Sequence, residues 1–155
     1  MIARVLSERG WTLAVAESIT GGGIGARLIT VPGASGWFAG GVITYATTTK
    51  TVLADVPPAL LDAPGPVSEE VAVAMARGIG ARLGTDVALG AVGVAGPTVQ
   101  GGRDVGTVCV GAVLAGGDTD VITRTLGTGT RVDVQRRAVD AALTFLVQVL
   151  TADEP

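Results

Sequence analysis

The chain is 155 residues long, 48% hydrophobic and 16% charged, with a net charge of −3. That length and apolar content suit one globular domain over residues 1–155 with a core of ordinary size. The acidic balance argues against a broad basic face for nucleic acid, and aromatics at 3% leave too few rings for a stacking platform, so a small anionic ligand is the better match. No apolar run reaches the roughly 18 residues of a membrane span, and no long hydrophobic leader opens the chain. The one cysteine, Cys109, lies in an apolar run without a partner for an internal disulfide. A reducing, cytoplasmic compartment is the expectation, with Cys109 as a small buried apolar residue.

In chain order, a first helix through Arg9 is stopped by Gly10, and residues 12–16 read as a buried strand. The turn Ala16-Glu17-Ser18-Ile19-Thr20-Gly21-Gly22-Gly23 opens a second helix to about Ile29, which Val31-Pro32-Gly33 stops. Residues 37–45 resume as a strand. Thr47, Thr48 and Thr49 read as caps of a short helix carrying Lys50, Val52 and Leu53, closed by Pro57-Pro58. Ser68 is the expected N-cap of the clearest helix, with Glu69 and Glu70 in its first turn and Val71, Met75, Ile79 and Leu83 along one face. Residues 86–94 read as a strand and 95–105 as a glycine-rich loop. Residues 106–115 and 121–126 are two more strands, joined as a hairpin across Gly116-Gly117-Asp118. A Thr130/Asp133 capping box starts the last helix near Arg131, with Val134, Ala138, Ala141, Phe145 and Val149 as its apolar stripe and residues 151–155 as a frayed tail. This order implies an α/β fold, a sheet covered by helices on both faces, and leaves strand order open.

Histidine is absent, and Lys50 and Tyr45 are the one lysine and one tyrosine. A proton acceptor near neutrality must then be a perturbed lysine, a carboxylate or a phenolate. Ser18 in a glycine-flanked turn, with a lysine whose pKa burial could lower, is a minimal set for acyl transfer without histidine. The backbone N–H groups of that turn, at a helix start, suit a phosphate, a carboxylate or a developing oxyanion. Each feature also has a plain reading: Ser18 as a helix cap, Lys50 as a solvated charge, Tyr45 as a core aromatic. Arg131, Arg136 and Arg137 stand where a helix dipole disfavours cations, which points to an anionic partner or to simple exposure.

Several blocks in order resemble the CinA C-terminal domain family: residues 16–22, Val31-Pro32-Gly33-Ala34-Ser35-Gly36-Trp37-Phe38, Gly40-Gly41-Val42-Ile43-Thr44-Tyr45, Gly65-Pro66-Val67-Ser68-Glu69-Glu70-Val71, Gly93-Val94-Ala95-Gly96-Pro97 and Val105-Gly106-Thr107-Val108. The resemblance implies a three-layer α/β/α sandwich with a mixed sheet, and hydrolysis of the carboxamide of nicotinamide mononucleotide by a Ser/Lys dyad with no metal or cofactor, in pyridine nucleotide salvage. It makes Ser18 the nucleophile and Lys50 its base, with Tyr45 in the same catalytic set and lining the pocket. Thr20 and Ser35 would line the pocket, Gly21 and Gly22 would hold the oxyanion, and Arg103 and Arg131 would face the ligand. Two segments depart from the family: Ala46-Thr47-Thr48-Thr49 where Ser-Asn-Glu is common, and Arg103-Asp104 where Lys-Pro is usual. A non-catalytic nucleotide-binding module and an amidohydrolase of another small amide are the alternatives, and a homo-oligomer is expected.

Overall fold

The computed structural model describes residues 1–114, 116 and 118–152. Helix α1 (Ile2–Arg9) ends on Gly10 in the left-handed conformation, and strand β1 (Leu13–Glu17) follows. The Ser18 turn leads into α2 (Gly23–Leu28), a single 3₁₀ turn (Ala34–Gly36) and β2 (Phe38–Ile43). Next come α3 (Thr47–Ala54), α4 (Pro58–Asp62) and α5 (Glu69–Leu83). Strands β3 (Val87–Gly93), β4 (Thr107–Val113) and β5 (Thr119–Thr125) precede the long α6 (Arg131–Thr151).

The short α4 is absent from the sequence reading. Pro58 does not close α3; it sits in the first turn of α4, where its missing N–H costs nothing, and α3 ends on Asp55 in the left-handed region. Nor do the threonines cap α3. Its N-cap is Ala46 without a side-chain bond, and the Thr49 hydroxyl donates back to the Ala46 carbonyl. Ser68 does cap α5 by accepting from the Val71 N–H, and Thr130 and Asp133 form the reciprocal box that starts α6. Two stripe positions differ: Leu83 is 43% exposed, and Ala142 rather than Ala141 is buried on α6. Residues 153–155 of the expected tail, and Gly117 of the expected hairpin turn, lie outside the described residues.

The five strands form one mixed sheet in the order β2-β1-β3-β4-β5. β1 runs parallel to β2 on one side and to β3 on the other, while β3-β4 and β4-β5 are antiparallel. The chain therefore passes from β1 to β2 on one side and then crosses back to β3 on the other, and the crevice at such a switch lies at the carboxyl end of β1. Ser18 is the residue that follows that end.

Side-chain alternation divides the core between two faces. Leu13, Val15, Val87, Leu89, Val108 and Val110 meet α1, α2 and α6, whereas Ala14, Ala16, Ala88 and Cys109 meet α5. Small residues on the second face let α5 come close. A Cβ at Gly90 would overlap the Ala72 carbonyl oxygen, and one at Gly111 would lie 2.6 Å from the Val73 nitrogen. Backbone cannot yield as a side-chain tip can, so Gly90→Ala is expected to destabilise the protein by about 3 kcal/mol. Chemical unfolding would check this, and a loss under about 1 kcal/mol would show that α5 can move off the sheet.

Candidate active site

Ser18 is half-buried at the end of β1, its N–H donating to the Ala91 carbonyl of β3 at 3.0 Å. Lys50 reaches it from α3, which begins four residues after β2 ends. Its ammonium nitrogen is 3.1 Å from Ser18 Oγ and 2.9 Å from the Thr44 carbonyl oxygen. Only 3% of Lys50 is exposed, and this desolvation lowers its pKa from 10.5 to about 8. In the neutral amine, an N–H held by the Thr44 carbonyl leaves the lone pair for Ser18. The tertiary fold thus brings together a hydroxyl and an amine 32 residues apart.

The pair opens into a cavity of about 260 Å³, walled by Ile19, Thr47, Pro66, Val67, residues 93–96, Thr98, Val99 and Gln100, with Tyr45 and Arg131 also lining it. Among the described residues, Lys50 and Arg131 are its charged side chains and no carboxylate lines it. Arg131 opens the first turn of α6 and donates to both the Tyr45 hydroxyl and the Gly96 carbonyl. The Tyr45 hydroxyl contacts that guanidinium, with no hydrogen bond to Ser18 or Lys50 among the described residues. Thr98, Val99 and Gln100 belong to a small hairpin loop in which Gln100 pairs with Arg103 across Gly101-Gly102, both with positive φ.

The remaining expected site residues fall elsewhere. Ser35 is exposed in the 3₁₀ turn and lines a separate depression with Ile29 and Phe38. Arg103 is exposed on the far strand of the loop hairpin, away from the cavity wall. Thr20 is buried, and its hydroxyl finds no partner among the described residues. Gly21 and Gly22 do not offer free donors either. The Gly21 N–H bonds the Ser18 carbonyl, and the N–H groups of Gly22, Ile24 and Gly25 all go to the Glu17 carboxylate at 3.0, 3.0 and 2.8 Å.

Glu17 is therefore a residue to which the sequence reading gave no role. Its side chain is 2% exposed and takes up N–H groups that a short helix leaves unpaired. The available signal was an acid between a strand and a glycine-rich helix start. Gln135 was also passed over; from α6 its side-chain amide donates to the Ile19 carbonyl at 3.1 Å. Among the described residues, no cluster of three or more histidine, cysteine, aspartate or glutamate side chains is placed to hold a metal ion. Likewise no described helix is long and apolar enough to cross a membrane.

Fold and site together define a three-layer α/β protein with a serine–lysine pair at the switch point of a mixed sheet. The family model of the CinA C-terminal domain matches residues 1–150, and the chain belongs to that family. A CinA-like protein of Frankia casuarinae is 43% identical over 97% of this chain and 34% of its own length. One from Chlorobium limicola is 41% identical over 96% of this chain and 37% of its own. The chain thus spans about a third of the length of these curated relatives. Among solved structures, a CinA superfamily protein of Klebsiella pneumoniae superposes with a TM-score of 0.91 at 31% identity, covering 97% of this chain and 94% of that one. One of Escherichia coli gives 0.90 at 28%, covering 96% and 86%.

The lowered lysine pKa sets a pH-dependent stability. Between about pH 8 and 10.5 the unfolded chain holds a proton on Lys50 that the folded chain has released, so stability rises with pH across that window. Lys50→Met removes the buried charge, and it is expected to raise Tm at pH 7 by an amount that shrinks as pH approaches 10.5. Melting curves of both proteins across this range check it; a lower Tm for the variant at pH 7 would contradict it.

Proposed function

We propose that the protein hydrolyses the carboxamide of nicotinamide mononucleotide to nicotinic acid mononucleotide and ammonia, within pyridine nucleotide salvage. The observation that carries the reading is the 3.1 Å approach of Lys50 Nζ to Ser18 Oγ in a cavity whose charged lining, among the described residues, is cationic. One cation is needed as a base in its neutral form, and the other, Arg131, suits the phosphate of the ligand. The family membership supports the same reading, although the names of the relatives specify no reaction.

In this mechanism neutral Lys50 takes the Ser18 proton as Oγ attacks the carboxamide carbon. The resulting ammonium gives that proton to the departing nitrogen as the C–N bond breaks, releasing ammonia and leaving an ester on Ser18. Water, deprotonated by Lys50, then attacks the ester carbon, and the proton returns to Ser18 Oγ as the acid leaves. Each half-reaction begins with neutral Lys50. Thr47, in the segment that departs from the family, lines the cavity.

Purified protein is expected to release ammonia from nicotinamide mononucleotide, and Ser18→Ala to lower kcat by about 10³-fold or more without unfolding. Binding without release would favour a nucleotide-binding module, and turnover of other amides alone would change the substrate. Arg131→Ala is expected to raise KM about 10- to 100-fold, the loss of a charge-assisted contact to phosphate worth about 1.5–3 kcal/mol. The rate should climb as pH rises through about 8, where Lys50 loses its proton. A flat profile from about pH 6 to 9 would remove Lys50 as the base.

A further inference from the structure

We infer that Gln135 is a positioning residue for this reaction: by holding the Ile19 carbonyl it fixes the residue that follows the nucleophile, whose N–H receives the developing oxyanion. This inference rests on the reading of Ser18 as nucleophile.

The donors follow from where the turn's N–H groups go. Ser18 donates to Ala91, Gly21 to Ser18 and Gly23 to Thr20, while Gly22, Ile24 and Gly25 donate to Glu17. Ile19 and Thr20 are left, their N–H groups without a partner among the described residues. Both residues are buried, and a buried N–H without an acceptor is costly unless something transient fills it. Ile19 lines the cavity and directly follows the nucleophile, a position from which a backbone N–H reaches the oxygen of a tetrahedral adduct on the preceding side chain.

A trans peptide points its carbonyl and its N–H in opposite directions. Fixing the Ile19 carbonyl therefore fixes the whole Ile19–Thr20 peptide, and with it the residue that follows the nucleophile. The bond that does so is the 3.1 Å donation from Gln135 Nε2, made by a half-buried side chain on another element. Gln135 lies one helical turn after Arg131, so the two share a face of α6, one reaching the cavity mouth and the other the serine turn. Glu17 restrains the turn from the glycine side, and Gln135 restrains it from the serine side.

The test compares wild type with Gln135→Met, which keeps length but loses the donor, and Gln135→Lys, which restores a donor. Two rates are read: ammonia release from nicotinamide mononucleotide, and acylation of Ser18 by p-nitrophenyl acetate, which needs the oxyanion donors but not the nucleotide. Gln135→Met is expected to lower kcat and the acylation rate about 10- to 100-fold with KM and Tm nearly unchanged, and Gln135→Lys to recover most of both. If wild type acylates but releases no ammonia, and Gln135→Met still slows acylation, the substrate assignment fails while this inference stands. Equal acylation rates in wild type and Gln135→Met overturn it. A loss that tracks a fall in Tm and is not recovered by lysine also overturns it, since the role is then structural. A wild type that neither releases ammonia nor acylates at Ser18 overturns inference and dyad together.

Discussion

A carboxylate buried at the end of β1 holds the site together. Glu17 is enclosed among backbone N–H groups of the next helix, and a buried acid is tolerable only when such bonds replace its water. Its main-chain carbonyl meanwhile accepts from Thr44 N–H at 2.7 Å, stitching the exit of β1 to that of β2. One residue thus fixes the start of α2, the turn carrying Ser18 and the strand exit whose Thr44 carbonyl holds Lys50. Moving Glu17 would shift nucleophile and base relative to each other.

The two faces of the sheet divide the work. Large aliphatic side chains pack under α1, α2 and α6, and the alanines and glycines under α5 allow backbone-to-backbone approach. That approach has a consequence for the site. Pro66 and Val67, just before α5, become cavity wall, and Ser68 is buried by its bonds to the Gly65 carbonyl and the Val71 N–H. A wall set by packed backbone holds its shape better than one made of mobile side chains.

The electrostatics of the cavity are spare. A single amine is buried enough to lose its proton near neutrality, and a guanidinium that cannot lose one stands at the mouth. Arg131 rests on Tyr45 and on Gly96, so an arriving anion competes with two hydrogen bonds already made rather than with water alone. The Gln100–Arg103 hairpin follows four residues after Gly96, whose carbonyl Arg131 holds.

The sequence alone determined most of the elements, though not the short α4, and the chemical possibilities. Ser68 and the Thr130/Asp133 pair marked helix starts because capping is local, and Gly10 marked a stop for the same reason. The absence of histidine and the single lysine limited the choice of base before any coordinates. Family blocks pointed to Ser18 and Lys50, but not to their contact. Local reading failed where partners are distant. Gly21 and Gly22 do not offer free donors, and nothing in a turn's sequence shows that the preceding Glu17 folds back over it. Ser35 and Arg103 fell outside the cavity because the paths of the segments bearing them depend on strand order and loop pairing. Gln135 was illegible because its partner lies 116 residues away. Tertiary structure decided strand order, the switch point at β1, the burial that lowers the Lys50 pKa and the closing of the serine turn from both sides. Each depends on which non-local surfaces exclude water from one another, and no stretch of chain carries that information by itself.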